Sequence, residues 1–268
     1  MRHSLALILL LTLTACGIFS SPDNKKSDAN SRPAKEIYAE AMEELDSGHY
    51  ESAVKTFEKL QSSYPYGRYA QQAQLEIAYA YYKQKEPESA IAAADRFIKQ
   101  YPNNIHVDYA YYLKGLINFN EDLGLLGGVV RQDLSERDPN AAREAFGAFK
   151  ELVTRFPDSQ YAPDSRLRLQ YLINALARYE IHVASYYLRR GAYVAAASRA
   201  KGVLSDYPKT PAILDALQIM VQAYDAMGMK DLRDDAQRVL DKNTGKGGAI
   251  TTAMPSPKNK SPWWQFWK

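Results

Sequence analysis

Four apolar runs in this sequence end in the same way, with an aromatic residue followed by proline. The endings are "SSYPYG", "KQYPNN", "TRFPDS" and "SDYPKT", and their prolines are Pro65, Pro102, Pro157 and Pro208. Proline cannot continue an α-helix, and it biases the residue before it away from helical backbone angles. Each proline therefore marks the end of a helix, and the chain is predicted to be built from repeated helical units.

Apolar residues also recur at fixed distances before these prolines. Such spacings place them on one helical face, with a small residue where two helices must approach closely. Gly48 and Gly191 come just before two of these helices and are predicted to form the tight turn between paired helices. The recurring residues stand twelve, eight and five positions before each proline: Ala53, Ala90, Ala145 and Ala196; Phe57, Ala94, Phe149 and Ala200; Leu60, Phe97, Leu152 and Val203.

This pattern resembles the tetratricopeptide repeat, a helix–turn–helix unit of about 34 residues. The predicted fold class is all-α, a superhelix of about five such units and about ten helices. A fifth, looser unit runs from Thr210 to Asp241 without the aromatic–proline ending, as expected of a terminal repeat with one face in water. Helices are expected near 34–46, 50–63, 69–84, 87–101, 106–119, 139–156, 161–190, 192–207, 211–227 and 230–242.

The spacing between prolines is longer on either side of Pro157. The first excess contains residues 121–138, "EDLGLLGGVVRQDLSERD", where glycines among the apolar residues argue against a regular helix. Such an apolar loop either packs onto the repeats or forms a docking point. The second excess lengthens the helix after Pro157 to about 43 Å at 1.5 Å per residue, enough to brace two halves of the repeat array.

The N-terminus has the order of a secretory signal peptide, with Arg2 and His3, then an apolar run, then small residues. The apolar run is too short to span a bilayer as a helix, which takes about 20 residues. Cys16, the only cysteine, follows directly, and "LTAC" resembles a bacterial lipobox. That resemblance implies that Cys16 becomes the lipidated N-terminus, and Gly17 after it implies the outer membrane. The alternative is an ordinary signal peptide with an unused cysteine.

Composition divides the chain into four parts. Residues 1–15 are the signal peptide, and 16–33 form a polar tether. Residues 34–242 are the repeat domain, and 243–268 form a polar tail that ends in an aromatic cluster. A formal charge of +3 gives no support for a nucleic-acid partner.

Longer motifs extend the resemblance beyond the repeat class. They are the lipobox, "YPYGRYAQQAQLEIAYAYYK", "DRFIKQYP", "VDYAYYLKGL", "RDPNAAREAF" and "LARYEIHVASYYLRRGAYVAA". Together they resemble the BamD family, the lipoproteins of the outer-membrane β-barrel assembly complex, over about 34–210. The resemblance implies a non-enzymatic protein without cofactors apart from the covalent lipid on Cys16. It also implies an outer-membrane location facing the periplasm, with three kinds of partner: the POTRA domains of the BamA-type barrel subunit, accessory lipoproteins, and C-terminal strands of incoming barrel proteins.

Function is predicted to lie in surfaces, since no metal-ligand or nucleotide-binding motif stands out. Tyrosines on the first helices of the early repeats can line a groove for extended peptides, although about half of them could equally fill core positions. An arginine beside them suits the aromatic side chain and carboxylate that end barrel proteins. The candidate peptide-binding residues are Tyr64, Tyr66, Arg68, Tyr69, Tyr79, Tyr82, Tyr109 and Tyr112.

A second candidate surface lies around the alanine-rich second helix of repeat four. Its basic residues suit a POTRA carboxylate, although a solvated face without a role is the simpler interpretation. The family resemblance at this helix favours the contact. The candidate partner-interface residues are Arg189, Arg190, Arg199 and Lys201.

The tail "SPWWQFWK" holds every tryptophan of the chain. Four large aromatic side chains are costly to leave in water. They are predicted to contact the bilayer interface or a partner. Docking on the repeats themselves, or a disordered tail without a role, are the alternatives. The tail-contact residues are Trp263, Trp264, Phe266 and Trp267.

Three functional classes follow from the sequence. The first is a scaffold and substrate receptor for outer-membrane barrel assembly. The second is another periplasmic repeat lipoprotein that organises cell-envelope or cell-wall synthesis. The third is a lytic transglycosylase, suggested only by Glu88-Ser89, and it is disfavoured because the later Gly-Leu-Met-Gln of those enzymes is absent.

Overall fold

The computed structural model describes residues 32–123 and 139–244, and the regular structure in these two ranges is entirely helical. The helices pair in chain order into five helix–turn–helix repeats, which confirms the predicted fold class. They are α1 Ala34–Asp46, α2 Tyr50–Ser63, α3 Arg68–Gln84, α4 Pro87–Gln100, α5 Val107–Leu123, α6 Asn140–Arg155, α7 Ala162–Arg189, α8 Tyr193–Asp206, α9 Ala212–Ala226 and α10 Lys230–Thr244.

Helix ends agree closely with the sequence pattern, because each repeat stops in the same way. Four aromatic residues just before the prolines have φ near −130°, and each backbone N–H donates to the carbonyl four residues earlier. Their rings then pack against the finished helices. The largest difference is at α5, which ends at Leu123 rather than near 119. The aromatic caps are Tyr64, Tyr101, Phe156 and Tyr207.

The turns inside the repeats use left-handed backbone. Gly48 and Gly191 have φ of 81° and 75°, as the sequence predicts, and Gly228 has 71° in the last repeat. Repeat two places Lys85 at the equivalent position with φ 63°, the only non-glycine with positive φ in the described ranges. The turn geometry therefore belongs to the repeat and does not depend on glycine alone.

The core is made by the residues that recur before each proline. All twelve are at most 1% exposed. They belong to two hydrophobic clusters, one covering repeats one to three and the start of α7, the other covering the rest of α7 with repeats four and five. Helix α7, with 28 residues, supplies Leu172 and Leu176 to the first cluster and Ala177 and Ala184 to the second. It therefore braces the two halves, as its length predicts.

First helices of neighbouring repeats touch one another, α1 with α3, α3 with α5 and α7 with α9. This places the first helices on the inner side of the repeat array, where repeat proteins form their extended binding surfaces. At the far end, repeat five presents Asp234 and Asp241 at positions where repeat four has Ala197 and Leu204. Because Ala197 and Leu204 pack into the core, the two acidic residues end the solenoid with a polar face.

Candidate functional site

The inner face of repeats one and two carries an aromatic cluster around a buried carboxyl group. The Tyr38 hydroxyl donates to Glu76 Oε1 at 3.2 Å, and the Tyr38 ring lies 5.4 Å from the Tyr69 ring. Glu76 has no solvent exposure, and burial raises the pKa of its carboxyl well above its usual range. The neutral form of Glu76 is therefore favoured, and its hydrogen bond holds Tyr38 in place beneath the surface.

Exposed Arg68 and half-buried Tyr69 form the edge of the same cluster. The Arg68 guanidinium lies 4.8 Å from the centre of the Tyr69 ring, and its Nη2 donates to the Tyr69 hydroxyl at 3.2 Å. Tyr66 stands beside them, 91% exposed. Since a guanidinium has five N–H donors, Arg68 keeps donors for a further acceptor. An aromatic ring and a cation are thus presented together at the surface.

A small cavity of about 40 Å³ opens next to Arg68. Gln71 on α3 and Asn104 in the turn before α5 close one side of it, where Asn104 Nδ2 donates to Gln71 Oε1 at 2.8 Å. The cavity therefore joins repeats two and three and has room for only a few atoms. Its lining residues are Arg68, Gln71, Gln72, Leu75, Phe97, Asn104 and His106.

Further along α3, Tyr79 and Tyr82 are half-buried, with ring centres 6.4 Å apart. Lys83 places its ammonium about 6 Å from the rings of Tyr79 and Tyr50. Burial raises the pKa of the Tyr79 hydroxyl above its ordinary value, so the neutral phenol is the relevant form. These side chains continue the aromatic and cationic surface along the inner face.

Two of the predicted peptide-binding tyrosines are placed differently. Tyr109 and Tyr112 are only 7% and 8% exposed and lie in the core, so their assignment to a peptide surface is wrong. The Tyr112 ring stacks on Tyr161 at 4.7 Å, and Tyr109 lies 5.4 Å from the same ring. Tyr161 directly precedes α7, the first helix of repeat four, so the contacts of Tyr109 and Tyr112 with its ring join repeats three and four. Tyr64 is likewise engaged within the fold, since its hydroxyl donates to the Arg32 carbonyl at 3.0 Å.

A buried ion pair lies behind these rings. Arg168 Nε donates to Asp164 Oδ2 at 2.7 Å, and the Tyr112 hydroxyl donates to the same oxygen at 2.7 Å. The guanidinium also lies 4.7 Å from the Phe119 ring centre and 5.9 Å from that of Phe149. Charged residues in helices are usually exposed, so the sequence pattern did not reveal this pair.

The predicted partner surface contains a three-helix ion cluster. Arg199 Nη1 on α8 lies 2.8 Å from Glu180 Oε2 on α7, and Arg143 Nη2 on α6 lies 3.5 Å from Glu180 Oε1. The hydrogen bond to Glu180 raises the pKa of the Arg199 guanidinium. Arg199 is therefore already paired within the chain, which the sequence-based hypothesis did not include. Its side chain is still 46% exposed, so one side remains accessible.

The other three basic residues of this surface are exposed. Arg190 lies 5.5 Å from the ring centre of Tyr186, which is itself exposed, and Arg189 ends α7 beside it. Lys201 lies on α8, two residues beyond Arg199. The arrangement offers cations and one aromatic ring to an acidic surface.

Several predicted features lie outside the described residues. They are Cys16 with its signal peptide and tether, most of the 121–138 loop, and the aromatic tail. Within the described ranges, no group of three or more His, Cys, Asp or Glu side chains is arranged to hold a metal ion. In the same ranges, no helix combines the length and the apolar character needed to cross a bilayer.

Comparison with known proteins identifies the family to which this sequence is similar. The family model YfiO, described as an outer membrane lipoprotein, matches residues 30–239. An "Outer membrane protein assembly factor BamD" of Neisseria meningitidis is 43% identical over 263 residues, covering 98% of both chains. Proteins of the same name from Xylella fastidiosa and Pasteurella multocida are 39% and 34% identical, over 90% and 88% of this chain and 82% and 90% of theirs.

Proposed function

Because this chain belongs to the YfiO family of outer-membrane lipoproteins, we propose that it is a non-enzymatic subunit of the machinery that assembles outer-membrane proteins. The observation that carries the proposal is its similarity, over nearly its whole length, to relatives named as assembly factors. In this role it scaffolds the BamA-type barrel subunit and its accessory lipoproteins. It also receives barrel proteins before they insert.

The protein is held at the periplasmic side of the outer membrane by lipid on Cys16. Support comes from the position of this single cysteine directly after an apolar segment and small residues. A single acyl chain binds membranes only marginally, so stable attachment requires more than one chain. The polar residues 16–33 then span the distance between the bilayer and α1.

Incoming barrel proteins are received on the inner face of repeats one and two. There, Tyr66 and Tyr69 offer aromatic surface, and Arg68 offers unpaired N–H donors beside a small cavity. A C-terminal strand that ends in an aromatic residue supplies the matching ring and carboxylate. Tyr79, Tyr82 and Lys83 continue this surface for the preceding residues of the strand.

Replacing Arg68 with Glu should weaken binding of such a strand by about tenfold to a hundredfold. The reason is that a charge-assisted hydrogen bond contributes about 1.5–3 kcal/mol, and about 1.4 kcal/mol corresponds to a factor of ten. The measurement is fluorescence anisotropy of a labelled peptide that ends in phenylalanine with a free carboxylate. The same peptide with an amidated C-terminus should bind wild type as weakly as the free peptide binds the variant.

Arg96→Glu is the matched control, since Arg96 is an exposed arginine on α4, a second helix. It makes the same charge change away from the inner face and should leave the affinity unchanged. Equal losses for Arg68→Glu and Arg96→Glu would show a general charge effect and remove Arg68 from the peptide site.

The barrel subunit is held at the surface formed by α6, α7 and α8. Arg199 can donate to a second carboxylate on its exposed side while it keeps Glu180 as its internal partner. Arg143 on the other oxygen of Glu180 leaves the cluster with net positive charge, which suits an acidic partner. Arg189, Arg190 and Lys201 extend the cationic surface.

A further inference from the structure

Helix α10 differs from the second helices of repeats one to three at two positions on the outer surface. The positions thirteen and six residues before each proline carry polar side chains in those three repeats, and alanine and glycine in repeat four. Helix α10, aligned through Gly228, places Leu232 and Val239 there instead. The earlier pairs are Ser52 and Lys59, Ser89 and Arg96, Glu144 and Glu151, and Ala195 and Gly202.

These two side chains lie on an exposed apolar stripe. Met229, Leu232 and Val239 are 45%, 47% and 43% exposed, and their spacing places them along one side of the helix around buried Ala236. A sixth repeat would not cover the stripe. The face that would meet another repeat carries Asp234 and Asp241, whose counterparts in repeat four are apolar and packed.

After this helix, the chain continues into the segment that holds all three of its tryptophans. Eighteen residues separate Thr244 from Trp263. The end-to-end distance expected for a random coil of this number of residues is about 24 Å, taking about 5.5 Å times the square root of the number of residues. Val239 and Leu232 lie about 8 Å and 18 Å back along the helix axis from Thr244, at 1.5 Å per residue. The tail therefore reaches the stripe without strain, at a high effective concentration.

Charge favours the same contact. Residues 245–268 contain lysines but no acidic side chain, and Lys258, Lys260 and Lys268 flank the aromatic cluster. On α10, Asp231 is exposed next to the stripe on its polar side, and so is Asp235, which also pairs with Arg238. We propose that the aromatic segment 262–268 docks on the Met229–Leu232–Val239 stripe of its own chain. The contact closes the C-terminal repeat and does not depend on the proposed function.

Tryptophan fluorescence tests the contact, because Trp263, Trp264 and Trp267 are the only tryptophans. The sample is the mature chain with Cys16→Ala, in buffer without detergent, lipid or partner. In this parent protein, called wild type below, tryptophan emission should lie at short wavelength and be poorly quenched by acrylamide. The double variant Leu232→Ser/Val239→Ser should shift the emission to longer wavelength and raise the quenching several-fold.

Leu167→Ser is the matched control, because Leu167 is also an exposed leucine, but on α7, away from α10. It should leave the emission unchanged. Circular dichroism must show the same helical content in all three proteins, and deletion of 262–268 should leave that content unaltered. Water-like emission from the wild type would overturn the proposal. So would short-wavelength emission that the double variant does not change, or a shift that appears only with phosphatidylethanolamine–phosphatidylglycerol vesicles or only with a purified partner.

Discussion

Replacing Arg168 with alanine is expected to lower the free energy of unfolding by about 3–5 kcal/mol, because the substitution leaves the buried Asp164 carboxylate without its cation. Asp164 would keep only the hydroxyl of Tyr112 as a partner. The loss also removes the guanidinium from its position against the rings of Phe119 and Phe149. In a domain of this size, each kcal/mol changes the melting temperature by about 2–4 °C. Thermal unfolding followed by circular dichroism measures the change.

Arg166→Ala is the control, two residues away on the same helix but exposed. It removes one hydrogen bond, from Nη2 to the Pro157 carbonyl, and should cost only about 1 kcal/mol. The double variant Arg168→Met/Asp164→Asn removes both charges and should recover much of the loss, since replacing a whole buried pair is often nearly neutral. If Arg168→Ala and Arg166→Ala melt at the same temperature, the buried pair does not stabilise the fold.

Gly115→Ala is expected to destabilise the protein by about 1–3 kcal/mol, the usual range for an overpacked core. A Cβ at this position would lie 2.5–2.7 Å from three carbon atoms of the Phe149 ring. Phe149 cannot move aside easily, because it is fully buried and contacts the rings of Tyr112 and Phe119. Urea unfolding with unchanged m-value would report the loss of stability.

Gly147→Ala makes the same substitution in α6, where no atom lies within 4 Å of the added Cβ. It should stabilise the protein by about 0.5–1 kcal/mol, because glycine is unfavourable inside a helix. The two variants therefore change stability in opposite directions. Equal stabilisation by the two variants would show that the Phe149 ring leaves room for a Cβ at Gly115.

Helix positions and core residues could be predicted because the signals for them lie within each repeat, close together in the sequence. The aromatic–proline endings set the helix ends, and the spacing before them identified residues such as Phe57 and Leu152 as buried. Helix α5 ran beyond its expected end because no proline marks its end. Its last residues, Glu121 to Leu123, continue the helix before the glycines begin.

The candidate sites were harder to predict, because their contacts join residues far apart in the sequence. Tyr112 looks like a groove residue from its spacing, but Asp164, 52 residues later, receives its hydrogen bond. Glu76 lies in an otherwise ordinary helix, and its burial depends on Tyr38 from the preceding repeat. Arg199 suited an external carboxylate in the sequence, whereas the fold places Glu180 against it. A single sequence gives the helical face of a residue but not which repeat covers that face.

Co-purification from detergent-solubilised outer membranes tests the central claim most directly. A tagged full-length chain should recover a β-barrel protein that carries POTRA domains. Arg199→Ala should recover less of it, while Glu180 stays paired with Arg143 and the fold is kept. Recovery of cell-wall synthases in place of a POTRA-bearing barrel, or of no barrel protein at all, would contradict the account.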